Sequence, residues 1–110
     1  MITIEQFREL ELRVGTVTAA DPHPNADRLV VLHVDLGGET RQIVAGIRAH
    51  YAPEALVGRQ VVVVANLAPA TLRGVESQGM LLAAPSEDGG RAQSVLCPPM
   101  DGTSARSTRA

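Results

Sequence analysis

Leu29-Val30-Val31-Leu32-His33-Val34-Asp35-Leu36, then Gly37-Gly38, then Arg41-Gln42-Ile43-Val44-Ala45, is the stretch that decides the fold. Both runs are rich in the β-branched and aliphatic residues that suit a pleated strand. The glycine pair between them is a hairpin signal, because tight hairpin turns need backbone angles that glycine adopts at little cost. A strand over residues 29–36 and a returning strand over residues 41–45 follow.

Upstream, Pro22 and Pro24 hold residues 21–27 as a loop. Before it, Leu12, Val14 and Val17 belong to a first long strand, with Gly15 as a bend or bulge. Thr3 is a fitting N-cap with Gln6 three residues on, a capping box. Ile4, Phe7 and Leu10 follow at helical spacing, so a short helix spans residues 4–9, with Phe7 in the core. Downstream, Gly46 breaks the strand, and residues 47–56 read as one or two helical turns interrupted by Pro53. Residues 59–66 form a strong strand, with residues 61–64 buried on both faces. Residues 67–78 are a long polar connection. Residues 80–84 form the fifth strand, Gly89-Gly90 a further turn, and residues 92–96 a short sixth strand. No internal repeat is present. The expected class is therefore all-β: a five-stranded OB-fold barrel with short helical elements at the N-terminus and between strands 3 and 4. One domain covers residues 1–97, and residues 98–110 form an irregular tail.

Composition sets the bounds. A chain of 110 residues is one small domain, and 45% hydrophobic residues exclude a disordered chain. No apolar run is long enough to span a bilayer, and no charged-then-apolar leader is visible. Cys97 is the only cysteine, which excludes an internal disulfide. These features favour a cytoplasmic setting. The net charge of −2 is unlike that of an obvious nucleic-acid binder, but its distribution is uneven. From residue 41 to residue 73 there are four arginines and one acid, Glu54. A local basic surface attracts phosphate even on a mildly acidic chain. Every basic residue is Arg, whose planar fork suits phosphate.

Two motifs fall on the loops joining strands 1–2 and 4–5, which carry ligand binding in OB-folds. The first is His23-Pro24-Asn25-Ala26-Asp27-Arg28-Leu29, and the second is Arg73-Gly74-Val75-Glu76-Ser77-Gln78-Gly79-Met80. With Arg41-Gln42-Ile43-Val44-Ala45-Gly46-Ile47, Gly58-Arg59 and Val64-Ala65-Asn66-Leu67, they make the chain resemble a tRNA-binding domain family. That domain occurs at the C-terminus of many methionyl-tRNA synthetases and as a stand-alone structure-specific tRNA-binding protein. The first loop also resembles one in the OB domain of bacterial phenylalanyl-tRNA synthetase β chains. Tyr51 and Pro53-Glu54 tip the balance to the methionyl type. The resemblance implies a homodimer that recognises the tRNA elbow by shape, acts as an accessory to aminoacylation and partners tRNA, with an aminoacyl-tRNA synthetase as a further partner. The tail after Leu96 departs from the family's usual pattern.

The expected tRNA-binding residues are Asn25, Arg28, Arg41, Asn66, Arg73, Ser77, Gln78 and Met80. Arg28, Arg41 and Arg73 are basic residues on the expected face. Asn25 either hydrogen-bonds RNA or caps its own loop, and Asn66 either satisfies backbone groups or meets RNA. Asp27 reads as structural, since an acid repels phosphate. Ser77 and Gln78 sit beside glycines that allow close backbone approach. Met80 is core by default, though the family resemblance sets it near RNA. Arg48 and Arg59 read as solvated charges.

No catalytic residue, metal or cofactor is expected. Ser77 lacks the Gly-x-Ser-x-Gly elbow, His23, His33 and His50 lack metal spacing, and Gly37-Gly38 lacks the Gly-Lys-Ser/Thr of a phosphate loop. Phe7 and Tyr51 are the only aromatics, so base stacking is poorly supplied, and contacts to phosphate and ribose of folded RNA remain. The alternative is a dimeric OB-fold chaperone that binds peptides for export, a branch whose first loop lacks the Asn-Ala-Asp-Arg pattern. A ligand-free dimerisation module is a third reading.

Overall fold

The computed structural model describes residues 1–88, 91–96 and 107–108. Helix α1 (Ile4–Arg8) starts at Thr3, whose side chain accepts the Gln6 amide at 3.2 Å while the Gln6 side chain accepts the Thr3 amide at 2.9 Å. A helix this short is marginal on its own. Asn66 pins its end: the side-chain NH2 donates to Glu9 O at 2.6 Å, and Oδ1 accepts the Glu11 amide at 2.8 Å. The helix packs nothing away. Ile4 is 67% exposed and Phe7 40%, so Phe7 is not the core residue expected from its spacing. The periodicity marked an apolar face, but none of its residues is buried.

Strand β1 (Leu12–Pro22) organises the barrel. Its first part pairs antiparallel with β4 (Gln60–Val64), its second with β2 (Val30–Asp35), and β2 pairs with β3 (Thr40–Ala45). The register slips between Val17 and Ala19, and this bulge bends β1 so that one strand serves two neighbours. The bulge therefore sits at Thr18 and not at the expected Gly15. Gly15 is required for close packing: a Cβ there would lie 2.4 Å from Val34 Cγ1 and 2.7 Å from Leu36 Cδ2.

The interior is aliphatic. Along β2 the inward residues Val30, Leu32 and Val34 are fully buried, alternating with outward Val31, His33 and Asp35. Ile43, Val61, Val63 and Leu81 meet them, and Leu56 of α2 (Pro53–Leu56), which follows β3 in the chain and packs on β1, completes the cluster. Pro53 opens α2 at its first turn instead of interrupting a helix, which is where proline costs least.

The expected polar connection over residues 67–78 holds a hairpin, β5 (Ala70–Leu72) with β6 (Val75–Ser77). The expected fifth strand divides into β7 (Met80–Leu81), paired with β4, and β8 (Ala83–Asp88), paired with β9 (Arg91–Leu96). The sheet order β3-β2-β1-β4-β7 leaves one seam, between β3 and the segment entering β7. Side chains help to close it. The Gln78 amide donates to Gln42 O at 2.8 Å, Gln78 Oε1 accepts the Gln42 amide at 3.1 Å, and Ser77 Oγ accepts the Val44 amide at 2.9 Å. The result is a nearly closed five-strand antiparallel barrel of the OB type. The expected turn at Gly89-Gly90 lies outside the described residues. So does most of the expected irregular tail, apart from β10 (Ser107–Thr108), which pairs with Leu12 and Arg13. No helix among the described residues is long and apolar enough to cross a membrane.

Candidate nucleic-acid interface

The two motif loops meet. Asn25, Ala26, Asp27, Arg28 and Leu29 from the first face Arg73 from the tip of the β5–β6 hairpin across a shallow polar cleft. Two hydrogen bonds tie them. The His23 ring nitrogen Nε2 lies 2.9 Å from Leu72 O, and the Asn25 side-chain NH2 donates to Arg73 O at 3.4 Å. The turn at the tip is Arg73-Gly74, with φ of 52° and 88°. Both residues occupy the left-handed region, as the tight hairpin turn that matches strand twist demands. That position suits Asn or Gly, and any other L residue is strained there. Among the described residues, Arg73 is the only non-glycine at positive φ.

Charge collects at this cleft. Arg28 and Arg73 are exposed, and neither forms an ion pair among the described residues. Arg48 is half-buried beside the first loop; its amide donates to Arg28 O at 3.4 Å and its guanidinium to Asp27 O at 3.3 Å. Three guanidinium groups on or beside one shallow cleft make a phosphate-attracting surface.

The remaining expected site residues lie elsewhere. Arg41 does not line the cleft. Its guanidinium donates to the Ala65 carbonyl, reaches Gln78 O at 3.4 Å and faces Glu39 at 3.4 Å. Arg13 approaches the same carboxylate at 2.6 Å. The Arg13 hydrogen bond, then the Arg41 charge, hold the Glu39 carboxyl below the usual carboxylate range. Asn66 clamps α1, and Ser77 and Gln78 close the barrel seam. Ser77 is buried, and its hydroxyl donates to Gly79 O at 2.9 Å. Met80 is 51% exposed and lines an apolar groove with Ile47, Leu67 and Leu72, the residue before Arg73. Thus Asn25, Arg28 and Arg73 come together, Met80 and Ser77 line the neighbouring groove, and Arg41, Asn66 and Gln78 are engaged in holding the fold. Among the described residues no group of three or more His, Cys, Asp or Glu could hold a metal.

A family model for a tRNA binding domain matches residues 12–106, which include both cleft-forming loops. The chain belongs to the tRNA-binding domain family. Methionine–tRNA ligase of Thermococcus kodakarensis is 57% identical over 90 residues, covering 82% of this chain and 12% of that protein. The Thermotoga maritima ligase is 59% identical over 87 residues, covering 79% and 14%. The chain thus spans about an eighth of the length of these relatives. Among solved structures, a MetRS-related protein from Pyrococcus horikoshii superposes with a TM-score of 0.88 at 34% identity, covering 99% of this chain and 98% of that one. The chaperone CsaA of Bacillus anthracis superposes at 0.82 with 32% identity, covering 99% of each.

In this tRNA-binding domain, two contributors escaped the sequence reading. Arg48 looks like a solvated charge in sequence, because only the folded chain sets residue 48 beside residues 27–28. His23 opens the first motif and lacks metal spacing, so the sequence attaches no individual role to it. The flanking prolines hint at a fixed loop, but nothing in the sequence reveals its bond to Leu72.

Proposed function

We propose that this domain is a non-catalytic module that binds folded tRNA through the cleft between residues 23–29 and the Arg73-Gly74 tip. The observation that carries this reading is the joining of Asn25, Arg28 and Arg73 on one surface, with Arg48 beside them and Arg73 held in a strained turn. Guanidinium forks and loop amides suit phosphate and ribose, and the cleft presents no aromatic ring for stacking. Such a surface reads the shape of a folded RNA in preference to its base sequence. Gln78 and Asn66 support the site by fixing the barrel, and Met80 borders it.

The apolar face of α1, with Ile4, Phe7 and Leu10 exposed, is the surface that a second copy covers in a cytoplasmic homodimer. The kinship with methionine–tRNA ligases supports a role beside or within a synthetase, raising tRNA affinity. One observation favours a second reading. The apolar groove of Leu67, Leu72 and Met80, together with the CsaA likeness, suits an extended peptide. Parallel titrations with whole tRNA, unstructured RNA and an unfolded peptide decide between the readings. Tightest binding to tRNA supports the first, and tightest binding to the peptide supports the second.

A further inference from the structure

We infer that His23 is a positioning residue that locks the two halves of the binding cleft into one surface, an inference that rests on the tRNA reading above. His23 is buried, 4% exposed, at the root of the first loop. Its ring bridges two segments far apart in sequence. Nδ1 lies 2.9 Å from the Asn25 amide nitrogen, and Nε2 lies 2.9 Å from Leu72 O. A backbone amide only donates and a carbonyl only accepts. Nδ1 must therefore accept, Nε2 must carry the proton, and the ring is the neutral Nε2–H tautomer. One side of the ring shapes the turn that presents Asn25 and Arg28. The other side holds the residue before Arg73.

The hairpin needs such an anchor. Residues 70–74 are all exposed, and β5 pairs only with β6 among the described strands. A two-stranded hairpin is marginal by itself. The β6 end is fixed to the barrel by Ser77, whereas the tip is held through Leu72 and the long Asn25 contact. Loss of the Nε2–H bond frees the tip without touching the core. The cleft then forms only part of the time, and apparent affinity falls by that fraction.

Two substitutions split the ring's two roles. Asn places an acceptor where Nδ1 stands but reaches no further, so His23→Asn keeps the loop turn and loses the Leu72 bond. Gln places an NH2 near Nε2, so His23→Gln keeps the Leu72 bond and loses the turn. Amide hydrogen exchange of the hairpin and tRNA titration are measured on the whole chain. His23→Asn should speed exchange at residues 72–76 with β1–β4 unchanged, and weaken tRNA binding on the order of five- to tenfold, the factor for one net hydrogen bond. His23→Gln should restore slow exchange at residues 72–76, while tRNA binding stays weakened because the turn that presents Asn25 and Arg28 is lost. Equal exchange in the two variants, or His23→Asn matching the wild type, overturns the proposal. The wild-type ring gives a readout that needs no variant. Its 15N spectrum should show a protonated Nε2 and an acceptor Nδ1, and the reverse tautomer overturns the assignment. If the wild-type chain failed to prefer tRNA, the functional reading would fall while the exchange result still decided the role of His23.

Discussion

Replacing Arg73 with Asn should separate stability from binding. Arg73 sits at φ 52° in a turn whose partner is Gly74 at 88°. An ordinary L residue pays roughly 1–2 kcal/mol in the left-handed region, and Asn recovers part of it through its short polar side chain. Arg73→Asn is therefore expected to stabilise the domain by about 0.5–1 kcal/mol. At this chain length that raises Tm by roughly 2–6 °C. The same change removes an exposed guanidinium from the cleft. A hydrogen bond to a charged group contributes about 1.5–3 kcal/mol, so tRNA affinity should fall by about ten- to a hundredfold. The log–log salt slope should also become shallower by about 1. Thermal melts and anisotropy titrations with tRNA at several salt concentrations give all three quantities. A lower Tm would refute the strain argument, and unchanged affinity would refute the role of Arg73 in binding.

Arg41→Ala should behave in the opposite way. It removes bonds to the Ala65 and Gln78 carbonyls, so urea melts should show a loss of about 1–2 kcal/mol while tRNA affinity changes by less than about threefold. Ser77→Ala leaves the Val44 amide without its partner in the barrel seam, at a cost of about 1–3 kcal/mol in the same assay. Glu39 is held below its ordinary value of 4.5, so its contribution is present above that pH and is lost as pH falls through the lower folded value. Glu39→Gln should accordingly flatten this part of the acid-unfolding curve, and an unchanged curve counts against the Arg13–Glu39–Arg41 cluster.

The barrel was legible because its signals are local. Alternation along β2, the Gly37-Gly38 turn and the Thr3 capping box each act within a few residues. The β5–β6 hairpin was missed because its turn is Arg-Gly, where Asn-Gly is the usual sign. That departure from turn chemistry is itself the strongest pointer to function. Locations of strands and loops were readable, but the duties of individual polar residues were not. Arg41, Asn66, Ser77 and Gln78 sit on the expected elements, yet their polar atoms satisfy backbone groups that sequence cannot pair. Gly15 shows the same limit: its need for space comes from Val34 and Leu36 across the sheet.

The central claim, that one polar cleft recognises folded tRNA by shape, is tested most directly by a single titration. The chain is titrated with native tRNA and with an unstructured RNA of equal length, each across a range of salt. With Arg28, Arg48 and Arg73 as the phosphate contacts, the slope for tRNA should be about −2 to −3 per bound chain. Native tRNA should bind at least about tenfold more tightly at every salt concentration, as the proposed recognition by shape requires. Equal affinity for the two RNAs would contradict the account.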